Sequence, residues 1–325
     1  MPASFDTPVV FWIFKRPETT EKVFAAIAQA RPKNLFVFAE GPRPDHPEDQ
    51  ALCAQARAIV KVDWPCNFQY DYAPKHMGGK VRFATAMKWI FSQVDRAIIL
   101  EDDCVPDPSF FPFCAELLEK YKDDTRIGMI TGFNAQLGRS RTKDSYFFST
   151  YHFCWGWATW RRTWQCFDED LGTFEKQWPQ VRDAGWIKTR FRRKASQAQW
   201  SVLFEDLYRL GGKNITDGYW TFTALTRNLL TIIPNQNLIS NIGWGKTATH
   251  TKLTDRYAYL PTIPMQFPLR HPGKIAVNTK ADDFVERILF SPSLLRKRWN
   301  RILSILVHGF SALMVLGPKR KQQAE

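Results

Sequence analysis

The chain has 325 residues, 44% apolar and 24% charged, which is ordinary globular composition and ample for one large α/β domain or two smaller ones. Its 45 basic and 32 acidic residues leave a net charge of +13, pointing to anionic partners such as nucleotide phosphates or an anionic lipid surface. No helix-turn-helix, zinc-finger or RNA-binding signature accompanies that charge, so nucleic acid is excluded as the expected partner.

Pro8 to Phe14 is a continuous apolar run, a candidate buried first strand. Pro17 then opens a helix, where its missing N–H does no harm, with Val23, Phe24, Ile27 and Ala28 on one face. Leu35 to Ala39 reads as the second strand, closed by Glu40-Gly41-Pro42-Arg43. Leu52, Ala56, Ile59 and Val60 mark a second helix, and Phe68 to Tyr72 a third strand. The loop Met77-Gly78-Gly79-Lys80 leads to a helix with Phe83, Met87, Ile90, Phe91 and Val94 at helical spacing. A central strand, Ala97 to Leu100, runs into Glu101-Asp102-Asp103; Asp107-Pro108 reads as N-cap and first residue of the next helix. Ile127 to Thr131 is another buried strand. This alternation predicts an α/β fold, a mainly parallel sheet with helices on both faces.

The second half is less regular. Tyr146 to Ser149 reads as a strand, followed by Trp155-Gly156-Trp157 and the basic cluster Arg190, Arg192, Arg193 and Lys194. Trp200, Leu203, Phe204, Leu207 and Leu210 mark a helix stopped by Gly211-Gly212. Leu230 to Ile233 and Leu238-Ile239 bracket a turn, and 252–283 is polar, Pro-rich and read as loop. Ile302 to Leu316 is apolar, too short to span a bilayer comfortably, and flanked by basic residues. Such a pattern suits a helix lying in an anionic membrane surface; packing on the body is the other reading. The six cysteines form no CxxC pair or zinc spacing, and Met1 to Pro8 is short and polar. Free thiols in a reducing cytosol are therefore expected.

Chemistry concentrates at the acid triplet. Three neighbouring carboxylates repel each other and call for positive charge, and a hard divalent cation suits oxygen ligands. In open α/β sheets ligands bind at the carboxyl ends of strands, where this triplet falls. Arg16, just after the first strand, could meet a phosphate. The 14% aromatic content, with 13 Trp and 25 Phe, fits an aromatic core, a surface that stacks on sugar rings, or both.

The segment Ile98 to Asp103, followed by Pro108-Ser109-Phe110-Phe111, resembles the strand-acid-helix segment of glycosyltransferases with the GT-A fold. It is similar to N-acetylglucosaminyltransferase I and to a bacterial, hemolysin-labelled family of sugar transferases. The resemblance runs from Pro8 to about Thr251 and also draws on Arg16 to Thr20, Trp155-Gly156-Trp157, Asn237 to Gly243 and Ala248 to Thr251. It implies a GT-A catalytic unit over 1–283, with a nucleotide-binding half to about residue 135 and an acceptor half over about 136–260, and then a basic amphipathic segment, 284–325. It implies that Asp103 binds Mn²⁺ (or Mg²⁺) bridging the donor diphosphate, that Asp102 faces the ribose with Glu101 beside it, and that Arg16 and Glu40 contact the nucleotide. Lys80 is a further candidate toward the donor, and His250 an additional metal or diphosphate ligand. Trp155, Gly156 and Trp157 match an acceptor loop. Asp217 matches the general base, although Gly218 stands where an aromatic is usual.

The function expected is a metal-dependent, inverting glycosyltransferase. Its donor is a nucleotide-diphosphate sugar, UDP-linked, and its acceptor a glycan or glycolipid of the cell surface, met at the inner face of the plasma membrane. Two rivals stay open. One is a nucleotidyltransferase, for which a Gly-rich basic loop after the first strand is expected but Lys15-Arg16-Pro17-Glu18 stands there. The other is a membrane-associated glycan-binding protein without turnover.

Overall fold

The computed structural model describes residues 5–191, 193–210, 216–244 and 257–290. The first half alternates strand and helix: β1 (Val9–Ile13), α1 (Pro17–Ala30), β2 (Asn34–Ala39), α2 (Pro47–Ile59), β3 (Asn67–Tyr72), α3 (Gly79–Phe91) and β4 (Arg96–Glu101). Then come a short β5 (Cys104–Pro106), α4 (Phe110–Lys120), β6 (Ile127–Thr131), β7 (Tyr146–Ser149) and β8 (Trp157–Trp160). Four helices follow, α5 (Arg161–Asp183), α6 (Trp186–Arg190), α7 (Lys194–Leu210) and α8 (Thr216–Thr226). The described chain closes with β9 (Leu230–Pro234), β10 (Ile239–Asn241), α9 (Thr279–Val285) and a wide π-helical turn, Glu286–Phe290.

Eight strands form one sheet in the order β3-β2-β1-β4-β8-β6-β9-β7. β3, β2, β1 and β4 are parallel, as are β6 and β9. β8 runs against both β4 and β6, and β7 runs against β9 at the far edge. The sheet is thus mainly parallel with helices on both faces, as expected. Side-chain alternation makes two cores. Val9, Phe11, Ile13, Ile98 and Leu100 join α1 and α4 on one face, while Val10, Phe36, Phe38, Ala97 and Ile99 meet α3, α5, α7 and α8 on the other.

Several expectations are corrected. Helix α4 begins at Phe110, not Pro108, because the Asp107 carboxylate accepts from the Ser109 N–H and hydroxyl and closes a turn first. β5 was not expected; it pairs antiparallel with β10. Residues 279–283, the end of the stretch read as loop, lie in helix α9. Next to position 283, Phe284 and Val285 are buried and Phe290 meets the Trp200 ring at 4.6 Å. No helix among the described residues is long and apolar enough to cross a membrane. Gly211-Gly212, Arg192, His250 and the residues from 291 onward lie outside the described residues.

Candidate active site

Parallel strands β1, β2 and β4 end side by side, and the residues that follow them form the charged part of the site. Arg16, in the N-cap position of α1, bridges the triplet: Nη1 donates to Asp103 Oδ2 at 2.7 Å, and Nη2 pairs with Asp102 Oδ1. The other Asp102 oxygen accepts from the Phe14 N–H at 3.1 Å. Burial alone would ease the proton off Arg16, but Asp102 and then Asp103 outweigh it and hold the guanidinium charged. Burial pushes the Asp102 carboxyl above its ordinary range, with Arg16 drawing it back. Neighbouring Lys15 is engaged as well, donating to Asp49 Oδ1 at 2.6 Å.

The β5–β10 ladder carries Gly243 over Asp103. Ile242 donates its N–H to the Asp103 carbonyl at 2.8 Å, and a Cβ on Gly243 would stand 1.9 Å from Asp103 Oδ2. Only glycine lets the chain pass this close.

Glu101 faces the other way. It lines a narrow hollow with Trp12, Cys154, Trp157, Asp217 and Trp220. Burial first, then the charges of Asp103 and Asp217, raise its carboxyl well above the usual range. Asp217, exposed in the first turn of α8, also hydrogen-bonds Cys154, whose thiol is pushed up by burial and by Asp217 and Glu101. Of the triplet, Glu101 is the member that shares a hollow with Asp217, whereas Asp103 turns toward Arg16 and Gly243.

Asp217 and Cys154 also border a larger cavity of about 310 Å³. Its walls are mainly aromatic, including Phe133, Phe153, Trp155, Tyr257 and Phe290, with His152 as a polar exception. Sequence reasoning missed His152. Neither of its ring nitrogens makes a hydrogen bond of normal geometry. Burial, then nearby Arg190, hold its imidazole down at about 3, against a weak upward pull from the Thr150 backbone.

Other candidates are placed differently from expectation. Glu40 is 3% exposed: Oε1 accepts from Gly41 N–H at 2.8 Å and Met77 N–H at 2.9 Å and so ties two loops, while Oε2 lies 3.6 Å from His76 Nδ1. Lys80 lies over the Tyr219 ring at 4.1 Å. Trp155 does line the cavity, but Trp157 is 2% exposed, packed 4.8 Å from Trp220 within β8, so its ring belongs to the core rather than to an open stacking face. Gly156 has φ +58°, and a Cβ there would meet Ile239 at 2.3 Å, so only glycine fits this turn against the core.

The donor set suits a hard divalent cation in chemistry and charge: among the described residues, Arg16 is the cation paired with the triplet, and Glu101 is driven toward holding a proton. Its ligand atoms are not gathered in this conformation. Among the described residues, the three such atoms within 4.8 Å of one another belong to His46, Glu48 and Asp49, where Asp49 is already held by Lys15 and Arg43.

No protein-family model matches the sequence, and no curated protein matches it. Solved structures similar to the chain include 4-diphosphocytidyl-2C-methyl-D-erythritol synthase from Anaerococcus prevotii, at 8% identity and a TM-score of 0.32, over 51% of this chain and 74% of that one. UDP-glucose pyrophosphorylase complexed with UDP-glucose is similar at 10% identity and a TM-score of 0.26, over 45% of this chain and 62% of that one. Likeness this low leaves any functional reading to the geometry of the site.

Proposed function

We propose that the chain is a metal-dependent, inverting glycosyltransferase of the GT-A type, moving a sugar from a UDP-linked donor to a surface glycan. One observation carries this reading: Asp217 borders both the hollow that holds Glu101 and the aromatic cavity. It therefore stands between a charged cleft at the strand ends, suited to a diphosphate, and an aromatic space suited to a sugar. In the proposed reaction Asp217 takes the proton of an acceptor hydroxyl. That oxygen bonds to the anomeric carbon as the carbon's bond to the diphosphate oxygen breaks, and the nucleoside diphosphate leaves. Asp103 would hold Mn²⁺ or Mg²⁺, which when bound offsets charge on the departing diphosphate. Arg16 would exchange its carboxylate partners for phosphate oxygens. The acceptor would be met at the cytoplasmic membrane face, with the basic tail as the contacting segment.

A nucleotidyltransferase would be expected to carry a Gly-rich phosphate loop after β1. Here that position holds Lys15 on Asp49 and Arg16 on Asp102 and Asp103. Calorimetry with UDP, with and without Mn²⁺, and a panel of UDP-sugars scored for slow hydrolysis test the reading. Asp103→Ala should lose metal-linked UDP binding. Asp217→Asn should keep UDP binding and lose transfer by roughly 10²–10⁴-fold. Exchange of labelled pyrophosphate into a nucleotide sugar would point to the rival, and UDP binding that ignores Mn²⁺ would sink the metal-dependent reading.

A further inference from the structure

Three arginines gather around one ring on the side of the sheet where the acids emerge. β8 runs against both β4 and β6, so those two strands point the same way. The loop that leaves β6 therefore starts from the same rim as the acid triplet. Arg139 and Arg141 lie in that loop, before β7. Their guanidinium carbons stand 5.0 and 4.9 Å from the centre of the Phe284 ring of α9. Arg287 follows three residues after Phe284, in the π-helical turn, a spacing that sets helical side chains beside one another.

The acids nearby are occupied elsewhere. The Asp144 carboxylate accepts from the Thr142 hydroxyl, and the Asp282 carboxylate from the Ser149 and Thr150 hydroxyls. Asp283 offers Arg287 its backbone carbonyl, 3.4 Å from Nε. Burial, then the like charges of Arg139 and Arg287, ease the proton off Arg141. Most of the donors are also unused, out of five N–H groups on each guanidinium. Arg141 Nε donates to Gln136 Oε1, and among the described residues the Arg139 side chain rests on Phe284 without donating a hydrogen bond. Arg139 and Arg287 are exposed and Arg141 is half-buried, so a ligand from solvent can reach all three.

The chemistry of the patch selects its ligand. Like charges held together favour a counter-ion with enough oxygens for three donors. Phosphate meets guanidinium forks in pairs of hydrogen bonds, whereas a carboxylate has two oxygens only. We propose that Arg139, Arg141 and Arg287 form a binding site for a phosphate group, separate from the donor cleft and filled by an anionic lipid headgroup or by a soluble phosphate ester. Leu289 and Phe290, just beyond Arg287, line the aromatic cavity beside Asp217, so the site and the cavity share one segment of chain. That the phosphate belongs to an acceptor or to its membrane rests on the transferase reading; the site does not.

The test uses the full chain, calorimetry with inorganic phosphate and with acetate at constant ionic strength, and sedimentation with phosphatidylcholine vesicles with and without phosphatidic acid. Arg139→Gln should weaken phosphate or phosphatidic acid binding roughly threefold, and the triple variant Arg139→Gln, Arg141→Gln, Arg287→Gln roughly tenfold or more. Arg139→Gln keeps the test falsifiable should the triple variant not fold, because that side chain has no hydrogen bond to lose among the described residues. Lys22→Gln, Lys61→Gln, Lys88→Gln, at exposed positions on α1, after α2 and on α3, removes the same charge and should leave binding unchanged. A loss seen with vesicles alone assigns the site to a lipid headgroup, and a loss seen with inorganic phosphate assigns it to a soluble ester. An equal loss in the lysine variant, no loss in the arginine variants, or acetate bound as well as phosphate overturns the site. UDP binding should be the same in parent and triple variant. Its loss in the triple variant places the arginines in the donor cleft and overturns their separateness, whereas no UDP binding in either overturns the transferase reading alone.

Discussion

On the strand-end side of Asp217, the basic groups after β1 have their opposites within reach: Arg16 on Asp102 and Asp103, Lys15 on Asp49. On the cavity side, the ring nitrogens of His152 and Trp200 are buried without a hydrogen bond of normal geometry. The first arrangement is closed by charge, so an incoming anion would have to displace an internal counter-ion to enter. The second is open in the sense that the fold leaves its hydrogen bonds unmade. The contrast teaches that two neighbouring spaces can be prepared in opposite ways, by a substitute partner on one side and by unmade hydrogen bonds on the other.

The largest expected stability effect tests the closed side. Arg16→Ala leaves Asp102, only 2% exposed, without its counter-charge, and breaking such a buried pair should cost about 3–5 kcal/mol in urea unfolding. A loss below about 1 kcal/mol would place that pair with exposed surface bridges and dissolve the contrast. Next, Gly243→Ala inserts a Cβ 1.9 Å from Asp103 Oδ2 and 2.8 Å from Arg16 Nη1. It should cost about 1–3 kcal/mol by overpacking and weaken UDP binding measured by calorimetry.

Acid sharpens the open side. His152 is held down at about 3 in the fold against an ordinary 6.5 when unfolded. Above pH 6.5 both states are neutral at this residue and it makes no difference. Below 6.5 the unfolded chain takes the proton first, so stability falls by about 1.4 kcal/mol per pH unit until the folded group titrates. Comparing urea midpoints of the parent and His152→Leu at pH 7.5 and 5 isolates this slope, since the other acids are common to both. The smallest effect concerns Lys80, whose ammonium lies over Tyr219. Lys80→Met should cost about 0.5–1 kcal/mol, and a larger loss of donor affinity than of stability would move Lys80 into the nucleotide cleft.

The strands buried on both faces were readable because continuous apolar runs such as Val9 to Ile13 and Ala97 to Leu100 have one stable home. β8 was not readable: Trp-Ala-Thr-Trp between a glycine and a helix start carries no period, and its place between β4 and β6 depends on partners far away in sequence. Helix α5 was readable and was overlooked. Trp164, Phe167, Leu171, Phe174 and Trp178 recur at alternating spacings of three and four, and Pro179 and the dense charges disguised them. At the site, strand-end position marked Arg16 and the acids, because topology alone assigns that rim to ligands. Position could not say which acid faces Asp217. His152 and Trp200 belong to no motif; they meet only when α7 packs beside the segment leading into β8, so only three-dimensional structure could find them.

Strand β8 also limits how the protein can be taken apart. It holds Arg96–Ile99 of β4 along one side and Ile130–Thr131 of β6 along the other. A fragment cut near residue 135 would keep β1 to β4 but strip that flank, leaving a row of unsatisfied backbone groups beside apolar side chains, an invitation to aggregate. A chimera that borrows β1 to β4 from one chain must therefore carry Trp157–Trp160 with it, although those residues are encoded well downstream.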